Sequence, residues 1–302
     1  MSRRWIAAVA AAAALTACAG EPQSPGAQPT GSPSESAPPA SGSPSATPSP
    51  SVTPTAVSPT PVGSMRVAVY YVGGEQRRPV LFREFRSVPR STGVVREAVH
   101  AMLTLVPQDA DYYSLWPTGS RVNSVRVDGT TAIVDLAADS RRVNATKEIE
   151  RASLQQLVHT VTAAAPALRS VRVLFDGKTA PTLWGDVATT GPISRGAQVD
   201  TLAPIWVVEP AQGAKVSRTF TVKGTATVFE ATVSWAVTRP GSTTKIVDGY
   251  VTATEGAPGR GSFTVTVKLP AGTTGDVVFT AWESSAEDGS VQHPDSKTYR
   301  VG

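Results

Sequence analysis

The chain has 302 residues, a formal net charge of +4 and a single cysteine. Arg3 and Arg4 contribute two of those charges, and the remainder of the chain is too weakly basic to argue for a nucleic-acid partner. One cysteine excludes an intramolecular disulfide, so any exported part must be held by core packing alone.

Arg3 and Arg4 precede an apolar run from Trp5 to Leu15. That run is shorter than the roughly 20 residues a bilayer span needs, and it fits the apolar core of a signal peptide over residues 1–17. Leu15-Thr16-Ala17-Cys18 comes next and resembles a lipobox, the processing site of bacterial lipoproteins. The resemblance implies diacylation of the Cys18 thiol, palmitate included, and cleavage before Cys18. It also implies a membrane partner, reached through the lipid, and an extracytoplasmic location on the outer face of the cell membrane. Export by the general or by the twin-arginine route stays open, since Ser2-Arg3-Arg4 is an incomplete twin-arginine pattern.

Residues 18–63 form a tether. From position 19 on, 12 of 45 residues are proline and only Glu21 and Glu35 are charged. Such a stretch cannot bury enough apolar surface to offset its ordering entropy, so a disordered linker with polyproline character is expected. Its contour at about 3.1 Å per residue is on the order of 140 Å. Ser and Thr beside Pro could carry glycans; a plain linker is the simpler reading.

Residues 64–200 read as an α+β domain, a mixed sheet with two helices. Met65–Val72 and Val80–Val88 are strands. Thr92 is placed to cap a helix to about Val106, with Val95, Val99, Met102 and Val106 on its buried stripe. Ser120–Val127 and Thr130–Leu136 are strands whose link, Asp128-Gly129, suits a type I′ turn. Thr146 caps a second helix with Glu148 and Glu150 in its first turn. Leu154, Leu157, Val158, Val161 and Ala165 form its stripe, and Pro166 ends it. Ser170–Phe175 is a buried strand.

Residues 201–302 change character. Seven short strands recur at Ile205–Val208, Thr219–Thr225, Ala231–Thr238, Ile246–Thr254, Ser262–Leu269, Val277–Glu283 and Lys297–Val301, separated by Gly, Pro or Asp turns. That is the pattern of an all-β immunoglobulin-like sandwich. Trp235 and Trp282 are expected in its core.

Two family resemblances rest on ordered motifs. Leu115-Trp116-Pro117-Thr118-Gly119-Ser120-Arg121-Val122, Val125 to Thr130, Ala132-Ile133-Val134-Asp135-Leu136, Val171 to Gly177 and Gly191-Pro192-Ile193-Ser194-Arg195 resemble a GerMN domain of sporulation and germination proteins. Pro210, Gly213, Val222 to Ala226, Val228 to Val233, Gly261-Ser262-Phe263 and Asp288-Gly289-Ser290 are similar to the immunoglobulin-like domain of bacterial spore germination. The pairing behind a lipobox implies a Gram-positive cell envelope, and neither module is known as an enzyme.

The chemistry-bearing residues agree with a chain that is no enzyme and takes no cofactor. His100, His159 and His293 are dispersed, and neither they nor Asp109-x-Asp111 match a metal-site pattern; the latter lacks the Gly and closing Glu of a calcium loop. Tyr112, Tyr113 and Trp116 could stack on sugars, or Trp116 could anchor its loop to the core. Arg83 and Arg86, within an arginine-rich stretch, could meet anionic wall polymer or form a solvated face. A non-enzymatic envelope scaffold with a protein partner is the leading expectation. Direct binding of peptidoglycan or another cell-wall glycan by Tyr112, Tyr113, Trp116, Arg83 and Arg86 is the alternative.

Overall fold

The computed structural model describes residues 63–302 apart from Gln76 and Val143. The signal segment, Cys18 and the Pro/Ser/Thr-rich tether lie outside the described residues.

The first half is an α+β layer. Strands β1 (Ser64–Gly73) and β2 (Val80–Pro89) pair antiparallel along their whole length, Ser64 opposite Pro89 and Gly73 opposite Val80. Helix α1 (Val94–Thr104) comes next, and the two-residue β3 (Tyr112–Tyr113) adds to the far edge of β1. Strands β4 (Val122–Asp128) and β5 (Thr131–Leu136) form a hairpin. Helix α2 (Lys147–Ala164) carries the chain back so that β6 (Ser170–Phe175) lies parallel to β5. The two-residue β7 (Ile193–Ser194) and the short α3 (Gln198–Thr201) complete the layer. The strands form two sheets, β2-β1-β3 and the mixed β4-β5-β6-β7. Helix α2 helps keep them apart: the outward N–H of Tyr70 on the open edge of β1 donates to Thr160 Oγ1 (3.1 Å), where a further strand would otherwise pair.

Local expectations are refined in three places. Helix α1 begins after Gly93 rather than at Thr92, and Leu105 is already extended, so Val106 stands in solvent instead of on the buried stripe. The β4–β5 turn is centred one residue later, on Gly129-Thr130, because Asp128 pairs with Thr131. Of those two only Gly129 has positive φ, which fits a type II′ turn rather than type I′. Thr146 caps α2 as expected, its side chain accepting from Ile149 N. Leu157, Val158 and Val161 are fully buried. Each such side chain contributes about 1.5–3 kcal/mol by leaving water.

The second half is a sandwich of β8 (Ile205–Glu209), β9 (Lys215–Val216), β10 (Thr219–Ala226), β11 (Thr232–Thr238), β12 (Lys245–Thr252), β13 (Gly261–Lys268), β14 (Gly275–Ser284) and β15 (Val291–Val301). A three-stranded sheet, β13-β10-β8, faces a five-stranded one, β12-β11-β14-β15-β9. Strand β13 buries every second residue, so Phe263, Val265 and Val267 enter the core while Thr264 and Thr266 face water. Trp235 stacks on Phe279 in that core, at 5.8 Å between ring centroids. Trp282 does not join it. It lies directly across from Ser234, on the opposite face to its neighbour Ala281, which is fully buried.

Strand β8 joins the halves. Ile205 and Val207 pack into the sandwich core, while Trp206 enters the core of the α+β layer with Leu202 and Ala203, and Val208 packs against that same layer. A boundary placed at residue 200 therefore cuts through continuous packing. Gly224 of β10 lets β8 come this close, since a Cβ there would collide with the Trp206 carbonyl and the Phe263 ring.

Glu150 shows how a loop is held without a disulfide. It is 1% exposed, and its carboxylate accepts backbone N–H groups from Trp184 (2.6 Å), Gly185 (3.2 Å), Asp186 (2.8 Å) and Val187 (2.9 Å). Burial alone would raise its pKa; the four amides outweigh burial and hold the carboxyl below the usual range. As pH falls, the unfolded chain takes up this proton before the folded one. The carboxylate's contribution is thus complete above its unfolded pKa and is lost as pH falls through the lowered folded value. Glu150→Ala is expected to cost about 3 kcal/mol or more, because buried donors lose a charged acceptor. Glu150→Gln should flatten the acid limb of stability measured by urea denaturation between neutral and acid pH; an unchanged limb would refute the assignment.

Candidate functional site

Tyr112 of the aromatic loop and Arg83 of the arginine stretch, separate in sequence, both lie at the seam between the α+β layer and the sandwich. Arg86 and Arg83 point to opposite faces of β2, as residues of odd spacing must. Arg86 is turned inward, with its side chain 13% exposed. It pairs with Glu84 (2.8 Å), donates to the Val106 carbonyl (2.8 Å) and reaches the Tyr71 hydroxyl (3.4 Å). Glu84 in turn accepts the backbone N–H groups of Gln108 and Asp109 at 2.9 and 3.0 Å. Arg86 therefore belongs to a clamp on the 105–109 loop and is not part of an open ligand surface.

Tyr112 is buried. Its ring stacks on Phe82 at 4.4 Å between centroids, and the ammonium of Lys297, on β15, sits 4.4 Å from its centroid. The Tyr112 hydroxyl donates to Asp295 Oδ1 (2.6 Å) and accepts from Lys297 Nζ (2.6 Å). Lys297 also pairs with Asp109, and lies 3.5 Å from Asp295. The second Asp295 oxygen accepts the Val207 N–H at 2.5 Å, and Ser296 donates to Asp111 at 2.9 Å. Burial pushes the Asp295 carboxyl up to about 6, although Lys297, the Tyr112 hydroxyl and the Val207 amide all favour its charged form. Burial first, and the nearby carboxylates of Asp295 and Asp109 second, raise the Tyr112 phenol far above its ordinary value. Asp109 is thus the partner of an internal lysine.

Trp116 is also buried, edge-on to Trp184 at 5.3 Å, and Trp184 donates from its indole nitrogen to the Ser140 carbonyl (3.1 Å). Tyr113 is half-buried. Of the two readings of this loop, a sugar platform or a loop anchored to the core by Trp116, the packing corresponds to the second: Trp116 lies in the core of the α+β layer, and the Tyr112 ring is taken up by Phe82 and Lys297. Of the five residues, Arg83 retains a charge turned away from this packing. Its guanidinium lies over Phe85 (5.1 Å) and Trp206 (5.0 Å), and Arg260 lies over Trp206 from the sandwich side of the chain (4.4 Å).

The histidines do not assemble a site. His159 is buried against Tyr70 at 5.1 Å, and burial together with Arg195 lowers its pKa to about 3, so it is a neutral packing residue. His100 and His293 are exposed. Among the described residues no group of three or more His, Cys, Asp or Glu side chains is placed to hold a metal ion.

Residues 68–181 match the family model described as sporulation and spore germination, and residues 204–290 match the immunoglobulin-like domain of bacterial spore germination. The chain joins two germination-type modules. No curated protein matches it. Among solved structures, the first GerMN domain of the sporulation protein GerM from Bacillus subtilis is 19% identical, covering 46% of this chain and 96% of that one, with a TM-score of 0.35. The tandem GerMN domains of the same protein are 16% identical over 68% of this chain and 61% of that one, at 0.38. A candidate lipoprotein from Clostridium perfringens is 16% identical over 46% of this chain and 92% of that one, at 0.32. Neither germination-type family description names a reaction.

Lys297 ties β15 of the sandwich to Asp109 and Tyr112 of the α+β layer. Lys297→Met would leave Asp109 and Asp295 buried without their cation, at a cost of about 3–5 kcal/mol. Calorimetry should show one cooperative unfolding transition for the native chain and two separated transitions for Lys297→Met. A single transition of unchanged midpoint in the variant would refute the coupling.

Proposed function

We propose that this chain is a non-enzymatic cell-envelope scaffold, held to the outer face of the membrane by a lipid on Cys18 and presenting its two modules to an envelope protein. The observation that carries this reading is the seam. Buried ion pairs and the two-faced strand β8 fasten two germination-type modules into one body, as suits a part that bears on a partner. The Leu15-Thr16-Ala17-Cys18 sequence and the proline-rich stretch after it support an anchored, displayed position. No helix among the described residues is long and apolar enough to cross a membrane. Labelling with palmitate is expected in the native chain and absent in Cys18→Ala; equal labelling of both removes the anchor. Crosslinking in intact cells followed by affinity capture should recover a recurrent envelope protein above an unrelated-lipoprotein control, and recovery of none would end the scaffold reading.

A second reading, direct contact with wall glycan, is favoured by a different surface from the loop read in the sequence. Tyr250, Ser234 and Trp282 are directly opposed on β12, β11 and β14 and share the outer sheet face, with Tyr250 77% exposed. Two rings about 10 Å apart across three strands can stack on sugars of one glycan. Sedimentation with purified wall tests it: Tyr250→Ala with Trp282→Ala should abolish co-sedimentation, and retention of binding in that variant excludes this face.

A further inference from the structure

The outer face of the β1–β2 pair, away from α1, is the floor of a groove of about 630 Å³, within the range of ligand sites. Tyr70 lies opposite Arg83 and Ala68 opposite Phe85, so these four side chains share that floor. Thr162 and Ala163 at the end of α2, Arg169 just before β6, and Ser194 and Arg195 of the adjoining β7 segment line its side, Ser170 pairing with Ser194. Arg195 is fixed by its Nε donating to Thr162 Oγ1 at 2.7 Å.

Among the described residues no carboxylate lines this groove, although three arginines do. Ion pairs among the described residues engage Arg86, Arg121, Lys223, Lys245, Lys297 and Arg300, and none involves Arg83, Arg169 or Arg195. The buried Nε of Arg83 has no hydrogen-bond partner among the described residues, nor has that of Arg260. These two guanidiniums converge on one indole, Trp206. Burial, and then the charge of Arg83, lower the Arg260 pKa to about 10. Like charges held near one another without a counter-ion are costly, and an anion on the groove side of Arg83 lowers that cost. The partial negative charge at the α2 C-terminus, about half a unit, is outweighed by three guanidiniums.

We infer that this groove binds an acidic peptide segment of a protein partner, with carboxylates on Arg83, Arg169 and Arg195 and an apolar side chain against Phe85, Ala163 and Pro166. Guanidinium forks match carboxylates in bidentate geometry. The apolar floor decides between anions. A bare phosphodiester chain would satisfy the arginines and leave the half-buried Phe85 and the exposed Pro166 wet, whereas a peptide alternating Glu with Leu or Phe covers both. The inference rests on the scaffold reading and names the partner's chemistry.

The test is fluorescence anisotropy of the full chain with a panel of labelled heptapeptides, each carrying three Glu and one Leu or Phe. Their Gln counterparts and a linear polyphosphate serve as controls. Saturable binding of Glu peptides is expected, weakened at least about tenfold in the Gln series, in Arg83→Gln with Arg195→Gln, and in the exposed single variant Arg169→Gln. Arg126→Gln on β4, remote from the groove, should bind as the native chain does. Circular dichroism confirms that each variant is folded. Absence of binding across the panel, equal binding of the Gln series, or native affinity in both groove variants overturns the inference. Binding of polyphosphate without peptide overturns it in favour of a phosphate-bearing polyanion. Undiminished crosslinking of a partner by the Arg83→Gln, Arg195→Gln chain would reject the groove and leave the scaffold reading intact.

Discussion

Strand β8 is apolar on both faces, and the arrangement of the molecule depends on that. A strand's side chains alternate, so Ile205-Trp206-Val207-Val208 can serve two cores only if both faces are covered by protein. Trp206 makes the strongest of these attachments: it packs edge-on to Tyr70 at 6.0 Å and donates from its indole nitrogen to the Leu81 carbonyl at 3.0 Å. The Ala203 N–H reaches the same carbonyl at 3.0 Å. The last residues before the sandwich are thus paired to β2, and the connection is a continuation of the first core. A swinging linker would leave these backbone groups and the indole to water.

Around β8 the polar groups do what disulfides do elsewhere. Glu84 and Glu150 each turn a buried carboxylate onto backbone N–H groups and fix one irregular segment, 108–109 and 184–187, while Asp295 accepts the Val207 N–H in the middle of β8. Irregular backbone inside a protein must have its hydrogen bonds satisfied, and a carboxylate can accept several at once. Removing two charges from water is expensive, so the Asp109–Lys297–Asp295 group contributes specificity of docking more than net stability. Its geometry accepts one relative placement of β15 and the 109–113 loop, whereas apolar packing alone would tolerate slippage.

Strong periodicity made most elements legible in the sequence. Residues 219–226 and 261–268 alternate strictly, and the two helical stripes and the Thr146 cap stand out because local pattern and burial agree. What the sequence did not disclose is tertiary in origin. The stretch Gln292-His293-Pro294-Asp295-Ser296 reads as a loop, yet it lengthens β15, because its polar side chains find Tyr112 and Asp111 across the seam and Val207 on β8. Asp109, Tyr112 and Lys297 lie up to 188 positions apart, beyond the reach of any spacing rule. The aromatic loop carried the right residue types for a sugar platform, but residue type is silent about which way a ring faces. Arg83 and Arg86 could have been separated by parity alone: an odd spacing on a strand puts them on opposite faces. The four-residue apolar run of β8 was also a usable signal, since a strand with one wet face alternates.

The same parity explains why the cationic groove lies where it does. With Glu84 and Arg86 turned in to hold the 105–109 loop, the alternate residues Arg83 and Phe85 must face out, beside Tyr70 and Ala68 of β1. The inward arginine has its acid two residues away on the same strand; the outward one has an aromatic ring instead. A cation over a ring is stabilised by about 0.5–1 kcal/mol at exposed sites, well short of what a paired carboxylate would supply in a half-buried setting. Arg83 is therefore held in place by Phe85 and Trp206 with its charge still uncompensated. Because Trp206 is also the residue that ties β8 to the first core, the groove's charge is rigidly mounted on the joint between the modules. A ligand that neutralised Arg83 would bear on a surface whose position both modules determine.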